Sequence, residues 1–288
     1  ESGEMLGLVE AERAFTTIHP GAIYLHLGRS YEVERLDIRE RRAVVSAFDG
    51  DWYTRPKKES EIYIERTHEQ RQVAGVELNF GEVSVTEQVI AFQRVSISDN
   101  EPIDIVALEL PEQSFVTQAL WYVLPDGNFG TLPPDVLLGA LHATEHAQIA
   151  VLPLIAMCDR WDIGGLSTNF HPQTGVPTIF LYDGHPGGIG IARTAFQRFE
   201  ELCRDAHALI AECTCAGGCP SCVQSPKCGN LNEPLSKAGA QMLLERMLAA
   251  GDGVEAGEPS AAPGVATVAR GGPISARRSE RDDSLLKA

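Results

Sequence analysis

The sequence predicts an α+β fold, in which an N-terminal antiparallel β domain is followed by a mixed α/β domain. Three patterns support this: short alternating segments over residues 21–110, helical periodicity after Pro134, and a strand, loop and helix unit from Thr178. The 288 residues, 43% of them apolar, are enough for about two domain cores. We place the β-rich domain at 21–130, the α/β domain at 131–250, and a disordered tail at 251–288.

The β domain is predicted from short runs rich in β-branched and aromatic residues. Such runs occur at 22–26, 31–36, 43–48 and 61–65, separated by turns rich in Gly, Asp and Arg. The stretch 75–86 has Gly81 between two apolar runs, which predicts two further strands around a glycine turn. Residues 103–110 add another strand.

The second domain is predicted from longer apolar patterns. Residues 136–157 are apolar nearly all round, which indicates a helix buried in the centre of the domain. Residues 178–182 indicate a buried strand, followed by a glycine-rich loop at 184–190 and an amphipathic helix to about Glu212. A last helix is predicted at 236–249, with Ser236 as its N-cap. The tail after 251 has almost no large apolar side chains, so it cannot offset the entropy of ordering.

Charge and hydropathy exclude some classes of protein. The net charge of −16 has the wrong sign for a protein that wraps nucleic acid, so any DNA binding is expected to be local. The apolar runs are shorter than the roughly 18 residues of a membrane span, so we expect a cytoplasmic protein with no membrane partner. The chain begins with Glu and shows no signal peptide; we expect a piece of a longer protein, joined upstream through residues 1–20.

The strongest chemical signal is a cluster of cysteines. Five of the seven cysteines lie in one window: Cys213, Cys215, Cys219, Cys222 and Cys228. The string Cys-Pro-Ser-Cys at 219–222 makes a tight turn that directs two thiolates to one point, and tetrahedral Zn²⁺ needs two further soft ligands. A redox pair is the alternative, but redox motifs do not bring extra clustered cysteines. Cys158 and Cys203 lie in apolar helical context and are predicted to be small hydrophobic residues.

A second motif lies on the predicted central helix. His142, Glu145 and His146 form an HxxEH string, the signature of inverted zinc proteases, and helical spacing places them on one face. Because the helix is otherwise strongly apolar, the two histidines can equally be satisfied core residues. We favour this structural interpretation over protease chemistry.

Two further features admit a functional and a structural interpretation. The loop at 184–190 has the shape that receives phosphate at a helix N-terminus, but its spacing matches neither standard fingerprint, which favours a tight packing turn. Asp159, Asp162 and Asp183 are candidates for a metal-binding carboxylate set of nuclease type. Alternatively, Asp159 and Asp162 terminate the central helix, with Arg160 as a partner, which we favour.

Several strings in one order resemble a known family. They are His-Ala-Thr-Glu-His-Ala at 142–147, the string at 158–167, Tyr-Asp-Gly-His-Pro-Gly-Gly-Ile-Gly at 182–190, and the cysteine-rich string at 213–230. Together they resemble the C-terminal region of MrfA-type superfamily 2 DNA helicases, including the MrfA zinc-binding (MZB) domain. The resemblance spans roughly residues 21–249 and leaves out the tail.

The resemblance implies a parent protein with two RecA-like motor domains upstream, which hydrolyse ATP and translocate 3′ to 5′ along single-stranded DNA in DNA repair. It implies zinc ligation by Cys213, Cys215, Cys219 and Cys222. In an extended Cys-x-Cys segment, however, the two side chains point to opposite sides. Unless the chain bends near Thr214 or at 216–218, the site would use Cys228 in place of Cys213.

Two hypotheses of function follow. The first is an accessory zinc-binding module that stabilises a helicase and guides or separates single-stranded or forked DNA. This chain has no Walker A string, so it is not expected to be catalytic by itself. The alternative is a metal-dependent hydrolase or nuclease that uses His142, Glu145 and His146 together with the three aspartates named above.

Overall fold

The computed structural model describes residues 3–124 and 133–251, and strands dominate its first part while helices dominate its second. The predicted α+β class is therefore confirmed. The predicted disorder of the tail at 251–288 concerns residues that lie, after the first, outside the described part of the chain.

The described strands form two antiparallel sheets. A three-stranded sheet has the order β1-β2-β3, and a six-stranded sheet has the order β4-β5-β7-β9-β8, with β6 also paired to β5. The strands are β1 (Ile23–His26), β2 (Arg29–Asp37), β3 (Arg42–Ala47), β4 (Trp52–Val73), β5 (Val76–Ser96), β6 (Pro102–Ala107), β7 (Gln113–Val123), β8 (Ile163–Thr168) and β9 (Thr178–Asp183).

The helices pack on one face of the six-stranded sheet. They are α2 (Pro134–Ala156), α3 (Ile191–Gln197), α4 (Phe199–Glu212) and α5 (Lys237–Gly251), while the short α1 (Ala14–Thr17) precedes the first sheet. Alternation along the strands explains the two faces: Leu120 and Tyr122 of β7 join the core under the helices, whereas Ala119 and Trp121 join a smaller core on the other face. The predicted central helix is confirmed by α2, which lies in the larger core.

Strands on both sides of the predicted domain boundary at residue 130 belong to one sheet. β7 precedes that boundary and β9 follows it, and the two pair from Ala119↔Tyr182 to Val123↔Thr178. The division into a domain at 21–130 and another at 131–250 stays a prediction. The six-stranded sheet contains strands from both of these ranges. Among the described helices, none is both long and apolar enough to cross a membrane.

The predicted turn at Gly81 is wrong, because residues 76–96 form one continuous strand. Gly81 lies opposite Thr67, between two register shifts in β4. A Cβ atom at Gly81 would lie 1.9 Å from the carbonyl oxygen of Arg66. The glycine therefore permits a close approach of two backbones at a bulge, which a sequence pattern does not distinguish from a turn.

We expect Gly81→Ala to destabilise the fold by about 1–3 kcal/mol, because the added methyl group forces the paired strands apart. Denaturant unfolding measures this change. Gly217→Ala is the matched control: a Cβ atom there meets nothing within 4 Å, so its effect should stay within about 0.5 kcal/mol. Equal stability of the two variants would contradict the close approach.

The other predicted elements are confirmed with smaller differences. The helix predicted to reach Glu212 is divided at Arg198, whose guanidinium donates to the carbonyl of Ile155 (3.0 Å) at the end of α2 and pairs with Glu201. Ser236 caps α5, since its Oγ accepts the N–H of Gly239 (3.1 Å). β8 was not predicted, because glycine is unfavourable within a strand and this strand contains Gly164 and Gly165.

Candidate metal centre

The cysteine cluster lies where α4 ends and the chain turns toward α5. α4 stops at Glu212, and Cys213 takes an extended conformation (φ −74°, ψ 121°). Gly218 has φ +116°, which favours glycine, and the following turn is closed by the N–H of Cys222 donating to the carbonyl of Cys219 (3.0 Å). These two conformations bring both halves of the cluster together.

The ligand atoms of Cys213, Cys215, Cys219 and Cys222 all lie within 4.8 Å of one another. The Sγ atoms of Cys213 and Cys219 are 3.6 Å apart, those of Cys215 and Cys222 3.6 Å, and those of Cys219 and Cys222 3.8 Å. Four thiolates about 2.3 Å from a tetrahedral ion lie about 3.8 Å from one another. A disulfide would need about 2.05 Å. The four thiols therefore fit the shell of a zinc-type ion.

A lysine and a backbone amide donate hydrogen bonds at the cluster. Lys237, the first residue of α5, donates through Nζ to the carbonyls of Cys213 (2.6 Å) and Cys215 (2.7 Å) and lies 3.6 Å from the Sγ of Cys215. The N–H of Cys219 donates to the Sγ of Cys222 (3.3 Å). Burial opposes ionisation of Cys215, but hydrogen bonds from the neighbouring thiols outweigh it and lower its pKa to about 7.

The cluster also belongs to the core. Cys222 is 2% exposed and packs with Val223 among the buried residues under the helices, while the other three cysteines are half-buried against the same core. Metal ligation here would thus hold the loop after α4 to the domain and place the start of α5.

Cys228 does not join the metal-ligand group of Cys215, Cys219 and Cys222, which is the alternative set that the sequence allowed. Its Sγ lies 3.3 Å from the Nε2 of His142, and with His142 and His146 it forms a second group of metal-ligand atoms within 4.8 Å. The Sγ atoms of Cys213 and Cys215 lie within 4.8 Å of each other, so both can reach one ion and the extended-segment argument for using Cys228 does not apply here.

Glu145 does not join its two histidine neighbours. Its Oε2 accepts the hydroxyl of Ser167 in β8 (2.6 Å), and burial raises its pKa. A protease of the HxxEH type needs this carboxylate beside the metal as a general base. The histidines themselves are buried and satisfied through Nδ1, which faces the carbonyl of Pro234 in His142 (2.9 Å) and that of Val223 in His146 (2.7 Å).

The three aspartates have separate structural tasks. Asp159 and Asp162 form a reciprocal capping box on the short 3-10 turn Arg160–Asp162, and Asp162 also pairs with His185 (3.0 Å). They therefore cap this turn and not the central helix, which ends at Ala156. Asp183 is fully buried, and among the described residues the three aspartates form no group of metal-ligand atoms.

Asp183 fills the anion position that the glycine-rich loop offers. Its carboxylate accepts the N–H groups of Ile189 (2.5 Å), Gly190 (2.7 Å), Ile191 (3.3 Å) and Ala192 (2.6 Å). An internal carboxylate thus satisfies the N-terminus of α3, where a bound phosphate would otherwise be expected. This agrees with the structural interpretation of the loop.

Two lysines at these sites were missed in the sequence. Lys237 donates to the carbonyls of two cluster cysteines. Lys227 donates through a buried Nζ to the carbonyls of Arg160 (2.5 Å) and Ile163. Burial lowers the pKa of Lys227 to about 8. Lys237 directly follows the predicted N-cap of α5, which was the available signal; Lys227 lies in a loop whose path no local pattern predicts.

A four-thiolate cluster built into the edge of an α+β core defines a metal-binding domain of the cysteine type. The MrfA Zn-binding domain family matches residues 144–223, a segment that contains the four clustered cysteines and ends before Cys228. The chain is 38% identical over 113 residues to an uncharacterized protein of Methanocaldococcus jannaschii, MJ1572.1, covering 38% of this chain and 99% of that protein. The chain belongs to the MrfA zinc-binding domain family.

Longer relatives match most of the chain. The uncharacterized ATP-dependent helicase YprA of Bacillus subtilis is 33% identical over 222 residues, which cover 76% of this chain and 29% of YprA. A crystal structure of the DUF1998 helicase MrfA bound to DNA shares 32% identity and a TM-score of 0.54, covering 81% of this chain and 31% of that one. The chain thus spans less than a third of these proteins and matches their MrfA-type C-terminal region.

The predicted family is confirmed by these comparisons, and the hydrolase or nuclease alternative is not favoured. The geometry gives the same result, since Glu145 accepts from Ser167 and does not join the metal-ligand group of the two histidines, and the aspartates serve as caps.

Proposed function

We propose that this chain is the C-terminal accessory module of an ATP-dependent DNA helicase that moves 3′ to 5′ and serves DNA repair in the cytoplasm. The observation that carries the proposal is the membership of the MrfA zinc-binding domain family, together with the likeness to helicases over more than three quarters of the chain. The RecA-like motor domains would lie upstream, joined through residues 1–20.

Within this proposal, Zn²⁺ is held by Cys213, Cys215, Cys219 and Cys222. The spacing of the four sulfur atoms supports it, as does the lysine contact at Cys215. Four thiolates leave no open position for water, so the ion would be structural and would supply no Lewis-acid chemistry. Its task is to hold the segment between α4 and α5.

The module would guide single-stranded or forked DNA through local contacts. The overall charge of −16 argues against a continuous basic groove. The turn between β2 and β3 and the first residue of β3, however, expose Arg39, Arg41 and Arg42 within four residues. Guanidinium groups pair well with phosphate oxygens, so this arginine turn is the contact that we propose for the DNA backbone.

Fluorescence anisotropy with labelled single-stranded and forked DNA, read at several salt concentrations, tests this contact. We expect weak binding by the 288-residue chain, with a strong salt dependence. Arg41→Ala/Arg42→Ala should reduce the slope of log K against log salt by about 1.4, because each phosphate contact contributes about 0.7 on single strands.

The matched control is Arg193→Ala/Arg204→Ala, which removes two positive charges from α3 and α4 and should leave that slope unchanged. The chain alone should also show no DNA-stimulated ATP hydrolysis, because it lacks the phosphate-binding loop and its lysine. Tight binding that salt does not weaken, or ATP hydrolysis by the chain alone, would contradict the proposal.

A further inference from the structure

His142, His146 and Cys228 come together from distant parts of the chain. The histidines lie one helical turn apart on α2, and their ring centroids are 4.3 Å apart. Cys228 lies in the loop between the cysteine cluster and α5, and its Sγ is 3.3 Å from the Nε2 of His142. One nitrogen from each ring and the sulfur all lie within 4.8 Å of one another.

Hydrogen bonds at the far side of each ring orient both histidines. A carbonyl oxygen can only accept, so the Nδ1 atoms that face Pro234 and Val223 carry the ring hydrogens. In a neutral imidazole this leaves Nε2 with a free lone pair. Histidines that bind metals are usually fixed in this way, with the second nitrogen donating to a carbonyl or a carboxylate.

The sulfur is prepared in the same manner. The backbone N–H of Asn232 donates to the Sγ of Cys228 (3.3 Å), and the side chain of Asn232 holds the loop through Ser225, with its Oδ1 accepting the N–H (2.7 Å) and its Nδ2 donating to the carbonyl (3.0 Å). An amide that points at sulfur favours the thiolate, which is the form that binds metal. The histidines are only 6% and 5% exposed, so water is largely kept from them.

From this geometry we infer a second metal site, in which His142, His146 and Cys228 bind one divalent cation of the Zn²⁺ class. Two imidazoles and one thiolate match the ligand preference of zinc, and three protein ligands leave one position of a tetrahedral shell open. The site joins α2 to the loop that follows the cysteine cluster. It is separate from the cluster, whose four cysteines already complete a tetrahedral shell.

The test is the metal content of the 288-residue chain, purified without chelator and equilibrated with ZnSO₄ before removal of free metal. Elemental analysis should give two zinc ions per chain. His146→Gln and Cys228→Ser should each reduce this to one. His185→Gln is the matched control, since that histidine is exposed and pairs with Asp162, and it should keep both ions.

A spectroscopic measurement on the unmutated chain covers the case in which a variant fails to fold. With Co²⁺ in place of zinc, ultraviolet absorption from cobalt–thiolate bonds grows with the number of such bonds. Filling the cluster adds four bonds and filling the second site adds one, so the second ion should add about a quarter of the absorption of the first. One metal ion per chain, unchanged in both variants and with no second Co²⁺ signal, would overturn the inference.

Discussion

Cys219→Ser is expected to release the metal of the four-cysteine cluster and to lower the melting temperature by about 10 °C or more. Loss of a structural metal is among the few changes that cost more than about 4 kcal/mol, and each kcal/mol corresponds to roughly 2–4 °C in a domain of this size. The segment at 216–232 has many Gly, Pro and Ser residues and few large apolar side chains, so little else holds it. Thermal unfolding and elemental analysis of the same sample measure both effects.

Two controls isolate the cluster from ordinary loss of packing. Cys203→Ser changes a fully buried thiol of α4, whose Sγ accepts from Gln148 (3.6 Å), and Cys158→Ser changes a half-buried one. Both variants should keep the cluster metal, although Cys203→Ser lies in the core and should lose some stability. Cys203 belongs to no group of metal-ligand atoms among the described residues, and burial raises the pKa of its thiol to about 12.

The same experiment separates the two sets of ligands that the sequence allowed. Cys213→Ser should abolish the Co²⁺ spectrum of four thiolates, whereas Cys228→Ser should leave that spectrum intact. The reverse result would place Cys228 in the cluster. If unmutated protein purified without chelator contains no zinc, the proposal of a zinc-binding module fails.

The element types were predictable where the pattern was local. The strands at β1 to β3 and the apolar helix α2 follow from periodicity, and Ser236 marked the start of α5 as an N-cap does. The failures arose where a tertiary contact decides the role of a residue. Gly81 looks like a turn, but it is a glycine because the backbone of Arg66 lies against it.

The metal site, too, was predictable only where its residues lie close together in the sequence. Five close cysteines indicated a metal, but which four meet depends on the path of the chain after α4 and on the positive φ of Gly218, and neither follows from spacing. The HxxEH string correctly placed two histidines on one face of a helix. Its third partner, Cys228, is 82 residues beyond His146 and approaches through a loop held by Asn232, so no local pattern could connect them.

Asp183→Asn is expected to destabilise the fold by about 3 kcal/mol or more. The Asp183 carboxylate is fully buried and accepts four backbone N–H groups at the start of α3. Hydrogen bonds to a charged acceptor contribute about 1.5–3 kcal/mol each, and a buried donor left without a partner costs a further penalty. The asparagine NH₂ group cannot accept a hydrogen bond. The backbone N–H groups that face it would therefore lose their acceptor. Denaturant unfolding measures the loss.

Asp159→Asn supplies the comparison, because that aspartate caps an exposed 3-10 turn and asparagine caps almost as well, so its cost should be below about 1 kcal/mol. The metal content of Asp183→Asn gives a second readout. If the carboxylate serves only as the anion at the helix N-terminus, the variant loses stability but retains its zinc. Loss of a metal ion with unchanged stability would instead support the nuclease-type role that the sequence left open for Asp183.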